Sequence, residues 1–167
     1  MQGLCTVTGN TDSNIYLYGS GTVITVTGAF TSDSNIGLGS SDNIRAYTSG
    51  YSTYNSGTDP GNFFTSDYYK YGIGEKDGEA FPGVHYIECS WEGGDTDGHV
   101  VKTKKVCTDY QEVGGRAELT DHWYFASYSD TYSDRIQVTG DTKLILKDGV
   151  TLTCKKGIQI HQFPPIT

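Results

Sequence analysis

The sequence predicts an all-β fold: coils of a parallel β-solenoid, or β-helix, with an inserted antiparallel hairpin. Three observations carry this expectation. Apolar residues recur two apart in short runs, the strand period that places them on one face. Glycine is frequent, 22 of 167 residues, and falls between those runs where sharp bends are needed. No stretch repeats apolar residues at three-and-four spacing far enough to predict a helix. A hydrophobic fraction of 35% together with 13 tyrosines suits strands lined by aromatic and β-branched side chains.

The pattern is clearest over residues 135–162. Ile136/Val138, Leu144/Leu146, Val150/Leu152/Cys154 and Ile158/Ile160 alternate with polar residues, while Gly140, Gly149 and Gly157 separate the runs. Strands this short cannot bury a face alone, but stacked as coils they share one core. All of these apolar residues are therefore expected to be buried, Leu146 among them.

Residues 1–48 repeat the same grammar in Cys5/Val7, Ile15/Leu17, Ile24/Val26, Ile36/Leu38 and Ile44/Ala46, at irregular spacing that predicts turns of unequal length. Residues 49–68 are dominated by Gly, Ser, Thr, Asn and Asp and contain the turn signal Asp59-Pro60-Gly61. They read as a loop tied to the core by Phe63 and Phe64. Residues 68–83 read as a strand, a Lys76-Asp77-Gly78 turn and a return strand. From Val84 to Tyr110 two strand-like runs flank the turn-forming EGGDTDG, which predicts a hairpin. The expected organisation is a solenoid-like segment over 1–83 with a long polar loop, a β-hairpin linker over 84–118 and a second solenoid-like segment over 119–167. The two solenoid segments can stack as one domain.

A formal charge of −8 repels phosphate, so neither nucleic acid nor an anionic membrane is expected as a partner. No run is long and apolar enough to span a bilayer, and MQGLCTVTGN lacks the basic and apolar regions of a signal peptide, so the chain reads either as cytosolic or as a piece of a secreted protein. Cys5, Cys89, Cys107 and Cys154 are too dispersed for a zinc ribbon, and their spacing leaves three disulfide pairings open. Cys154, in phase with Val150 and Leu152, fits a buried thiol acting as a small hydrophobe. Asp95-Thr96-Asp97-Gly98 resembles the opening of a calcium loop, but position 12 from Asp95 is Val106 where glutamate is required. No metal and no cofactor is expected.

Candidate binding residues are aromatic. Trp91, Trp123 and Tyr124 offer flat apolar faces beside polar groups, the chemistry of a sugar platform, although His122-Trp123-Tyr124-Phe125 equally suits the capping of a solenoid end. Candidate catalytic residues on a β-helix would be Asp134, Arg135, Asp141 and Asp148, because polysaccharide cleavage needs paired carboxylates or a base. Asp141 and Asp148 sit beside turn glycines, where aspartate commonly bonds the turn backbone. Gly50-Tyr51-Ser52-Thr53-Tyr54 lacks the closing glycine of a nucleophile elbow, and His85, His99, His122 and His161 are scattered singly. No phosphate-cradling loop occurs. The chain is not expected to be an enzyme. Lys102, Lys104 and Lys105 read as an exposed strand that resists aggregation.

The run YIECSWEGG, VVKTKKVCTDYQEV, DHWYFAS and DRIQVTGDTKLILKDGVTLTCKKGIQI resembles a recurring segment of large surface or secreted proteins of gut Gram-positive bacteria. There a Trp-Gly hairpin linker leads into the first coils of a right-handed parallel β-helix. NIYLYGSGTVITVTGAFTSDSNIGL and YTSGYSTYNSGTDPGNFFTSDYYKYGI resemble what closes such a unit in the same proteins. The resemblance covers most of the chain and rests on the Thr-Val-Thr-Gly, Phe-Thr-Ser-Asp and Leu-Ile-Leu-x-Asp-Gly phrases. It implies an extracellular or cell-surface, non-catalytic structural or adhesive module, with glycans or other surface proteins as partners and a carbohydrate-binding module or a remnant of a polysaccharide-degrading enzyme as alternatives. The order here is closing segment, hairpin, opening segment, so the chain straddles a junction between units. Its two solenoid ends are expected to favour a monomer over head-to-tail association.

Overall fold

The computed structural model describes residues 1–161 except 12, 42–44, 69–70 and 95–96. About 50% of the chain is strand with almost no helix, and the coils form a parallel β-solenoid. No helix among the described residues is long and apolar enough to cross a membrane. Contacts divide the chain into two compact units, Met1–Thr108 and Asp109–Thr167.

In the first unit, β1 (Thr6–Val7) and β2 (Ile15–Leu17) both run parallel to β4 (Asn35–Ser40), whose other edge takes β6 (Phe64–Ser66). A second parallel pair joins β3 (Ile24–Thr25) to β5 (Thr48–Ser49). Alternation turns Leu17, Ile36 and Leu38 inward, where they are buried with Val26. The half-buried Cys5, Val7, Ile15 and Ile24 pack against them. These four expected inward pairs are thus in place; of the fifth, Ala46 is half-buried and Ile44 lies outside the described residues.

The polar stretch 49–68 is more ordered than a loop. It holds the one-turn α1 (Tyr51–Asn55) and a 3-10 turn at Pro60–Asn62, where the Asp59 carboxylate accepts the Gly61 N–H at 2.8 Å. Sequence periodicity missed α1 because one turn is too short to repeat a pattern. Its ends are held by side chains: buried Asn55 Oδ1 accepts the Phe30 N–H at 2.9 Å, and the Tyr51 hydroxyl donates to the Thr58 carbonyl at 2.9 Å. Burial pushes the Tyr51 hydroxyl up to about 12, with the charges of Asp59 and Glu75 adding to it. Phe30 meets Phe64 edge-on at 5.4 Å and Phe63 at 5.3 Å, with Tyr51 against both, so aromatic rings fill this core.

An antiparallel sheet completes the unit: β7 (Tyr71–Lys76), β8 (Glu79–Glu92) and β9 (His99–Cys107). Asp77 and Gly78 join β7 to β8 with φ of 55° and 79°, the double left-handed turn that matches strand twist. The Glu79 carboxylate accepts from Thr48 Oγ1 at 2.8 Å, Gly50 N at 2.7 Å and Tyr51 N at 3.0 Å, which ties this sheet to β5 and α1.

The second unit is a three-faced coil. Sheet one stacks β10 (Gln111–Glu112), β12 (Trp123–Ala126) and β15 (Lys143–Leu146). Sheet two stacks β11 (Glu118–Thr120), β14 (Ile136–Thr139) and β17 (Ile158–His161). The third face pairs β13 (Asp130–Tyr132) with β16 (Leu152–Cys154). All pairs are parallel. Trp123 lies beside Lys143, twenty residues on, and Ile136 beside Ile158, twenty-two on, so one coil takes about twenty residues. Val113, Leu119, Tyr124, Ala126 and Ile136 form the core, and half-buried Val138, Val150, Leu152 and Cys154 pack against it.

Four expected core residues are exposed: Leu144 at 41%, Leu146 at 47%, Ile158 at 54% and Ile160 at 73%. Their phase is inward, since Leu144 and Leu146 are in register with buried Tyr124 and Ala126, and Ile158 with buried Ile136. They lie in the last described coil, and among the described residues no coil stacks on its outer side. Between the leucines it is Ile145, beside Phe125, that is buried; Phe125 in turn meets the Tyr110 ring at 5.7 Å. Ile136→Ala is expected to cost about 2–5 kcal/mol. Leu146→Ala is expected to cost under about 1 kcal/mol, because little further area leaves water. Denaturant melts of the two variants check this contrast.

Candidate functional site

The C-terminal half of β8 and most of β9 leave the body of the first unit as a two-stranded arm. Its root is buried through Val84 and Cys107, which pair in register. From Ile87 to Glu92 every β8 residue is exposed, and most of β9 opposite is too. Register assigns the side chains to two faces, because cross-strand partners project together. One face carries the pairs Ile87–Lys104, Cys89–Lys102 and Trp91–Val100. The other carries Glu88–Thr103, Ser90–Val101 and Glu92–His99, with Tyr86–Lys105 nearer the root. Carboxylates are therefore confined to the second face, where Glu88 meets Lys105 at 3.9 Å. On the first, Ile87 is 56%, Trp91 61% and Val100 54% exposed.

Glycine sets the pose of Trp91. A Cβ on Gly98 would stand 2.2–2.4 Å from the indole atoms Cζ2, Cε2 and Nε1, so the ring lies directly on that glycine. Support on one side and solvent on the other leave a broad indole surface available for contact. Behind it the tip is closed by Gly98 N donating to the Gly94 carbonyl at 2.9 Å and Gly94 N donating to Asp97 Oδ1 at 2.8 Å. Asp97 thus serves the turn, while Asp95 and Thr96 of the suspected calcium loop lie outside the described residues. Among the described residues no group of three or more His, Cys, Asp or Glu side chains converges on a metal-sized space.

At the root of the apolar face the His85 ring lies over Gly72, with its Nδ1 buried and unpartnered. Burial lowers the His85 pKa, the Lys104 charge lowers it further, and the main chain of Lys105 and Tyr71 pulls the other way. A histidine whose folded pKa lies below its unfolded value of about 6.5 binds fewer protons when folded, so stability falls as pH drops through that value towards the folded pKa. Stability measured against pH is expected to decline below about 6.5, and His85→Gln to flatten that limb.

Trp123 and Tyr124 belong to the second unit and face opposite ways. Tyr124 points inward at 5% exposure, and its hydroxyl accepts the Thr120 N–H at 3.0 Å, so it is a core residue with no ring surface to offer a sugar. Trp123 is half-buried, and the Lys143 ammonium stands 5.4 Å from its ring centre. The candidate acid–base residues serve turns and coil edges. Asp134 pairs with Lys156 at 2.7 Å, which holds its carboxyl below the usual range. Asp141 pairs with Lys143 at 2.5 Å, and Arg135 donates to the Lys156 carbonyl at 3.0 Å. Asp148 is exposed on the turn after β15.

No protein-family model, curated protein or solved structure matches the chain.

Sequence reasoning found Trp91 but missed its setting. Writing Ile87-x-Cys89-x-Trp91 against Val100-x-Lys102-x-Lys104 as a hairpin separates the charges by face, a signal present once register is known. A second exposed feature, Tyr16 at 45% and Tyr18 at 79% with ring centres 6.5 Å apart on β2 and just beyond, was also missed, because tyrosine alternation reads equally as core.

Proposed function

We propose that the chain is a non-catalytic structural or adhesive module of a surface or secreted bacterial protein, its coils serving as scaffold and the β8–β9 arm as the contact element. The observation that supports this reading is the arm itself. Ile87, Trp91 and Val100 stand on one exposed face, with the indole supported by Gly98, and such exposed apolar patches mark interaction surfaces. The resemblance to β-helix segments with a Trp-Gly hairpin points the same way. Asp134 and Asp141 are each paired with a lysine, Lys156 and Lys143, which favours a structural role for those carboxylates over acid–base work.

A glycan array probed with the intact chain and with Trp91→Ala tests the reading. Capture that depends on Trp91 is expected, without release of reducing or unsaturated sugar ends from captured polysaccharide. Released ends would contradict the non-catalytic part, and capture indifferent to Trp91 would contradict the adhesive part.

A further inference from the structure

We infer that the Trp91 face of the arm binds a linear carboxylated polysaccharide, an inference that rests on the adhesive reading above and names its ligand class. Along β8 the face presents an apolar rail, Ile87, Cys89 and Trp91. Along β9 it presents Val100 beside the indole and then Lys102 and Lys104. Alternate residues of one strand stand roughly 6.8 Å apart, so the two ammonium groups are spaced along the ribbon rather than clustered. Neither lysine forms an ion pair among the described residues, whereas Lys105 on the opposite face is paired with Glu88. The face is therefore apolar on one rail and cationic on the other.

A ligand that satisfies both rails is extended, carries an apolar ring face and bears regularly placed anions. A chain of uronic acid units has these properties: the C–H face of a pyranose stacks on the indole, and its carboxylates meet Lys102 and Lys104. A neutral glycan leaves the lysine rail unused. A peptide added as a strand would pair along the outer edge of β9 and leave the Trp91 face unused. Single-stranded nucleic acid offers comparable charge, but it stacks successive bases on successive aromatic side chains, and this face presents one ring, Trp91, among Ile87, Cys89, Val100, Lys102 and Lys104. Glu88 and Glu92 on the other face repel a polyanion, which directs it to the Trp91 side.

The test uses the full chain and four immobilised probes: polygalacturonate, its fully methyl-esterified form, a neutral mixed-linkage β-glucan and oligo-deoxythymidine. Polygalacturonate is expected to bind best and to weaken with added salt. Affinity is expected to fall about tenfold or more in Trp91→Ala. It is expected to fall about five-fold in Lys102→Gln/Lys104→Gln, and to change less than about two-fold in the opposite-face control Lys105→Gln. Circular dichroism of each variant confirms that the fold persists. Equal binding of the methyl ester or of the neutral glucan, still lost in Trp91→Ala, overturns the acidic-ligand inference and leaves the adhesive reading standing. Capture of no glycan overturns both. Preferential binding of oligo-deoxythymidine overturns the inference in favour of nucleic acid.

Discussion

Phe64→Ala is expected to destabilise the first unit by about 3–5 kcal/mol. The side chain is 1% exposed, stands beside Ile36 in the β4–β6 register and meets Phe30 edge-on at 5.4 Å and Tyr51 at 6.1 Å. Removing the ring leaves a cavity among rigid aromatic neighbours that cannot collapse into it, and it also removes ring-pair contacts. Phe64→Leu keeps most of the volume and is expected to lose less than about 2 kcal/mol. Because the chain has two compact units, the loss should shift the unfolding of the first and leave the second where it was. Denaturant unfolding followed by fluorescence and by far-UV circular dichroism resolves this. A shift of under about 1 kcal/mol for Phe64→Ala would show that these rings are not the packing centre.

Glu79→Ala is expected to cost about 3 kcal/mol in the same unit, by a different route. Three donors converge on this carboxylate: the Thr48 hydroxyl and the N–H groups of Gly50 and Tyr51. Thr48 is 2% exposed, and its Oγ1 also accepts the Ala80 N–H at 2.8 Å, so the network has little access to replacement water. Truncation strands those donors, and stranded buried polar groups cost more than the bonds they made were worth. Glu79→Gln retains one acceptor oxygen and is expected to cost about half as much. Hydrogen exchange at the Gly50 and Tyr51 amides gives an independent measure: both should be protected in the native chain and fast in Glu79→Ala. Slow exchange in the variant would mean that other groups hold α1.

The architecture was legible because it rests on local rules. Alternation in 135–162 and glycine between the runs identify short strands, and Asp77-Gly78 identifies the β7–β8 turn. What escaped depends on context that alternation does not encode. Leu146 and Ile158 have the inward phase that alternation predicts, but burial also requires a neighbouring coil on each side, and alternation does not show whether one is there. Ile145 is buried beside Phe125, a matter of which residue lies one coil earlier. Tyr124 and Trp123 are adjacent and equally aromatic, yet only the register of β12 tells which one enters the core. At the candidate site Trp91 was visible as a residue type. Its support by Gly98 and the segregation of Lys102 and Lys104 from Glu88 and Glu92 emerge only when the two strands are aligned.

The division of labour between coils and arm is tested most directly by shortening the arm. A variant in which an Asn-Gly turn joins Tyr86 to Lys105 keeps that cross-strand pair and the buried root while deleting both exposed rails. Thermal melting and glycan-array capture are then measured on the same preparation. The expected result is a melting profile like that of the intact chain with capture abolished. Undiminished capture by the shortened chain would contradict the account and place recognition on the coils.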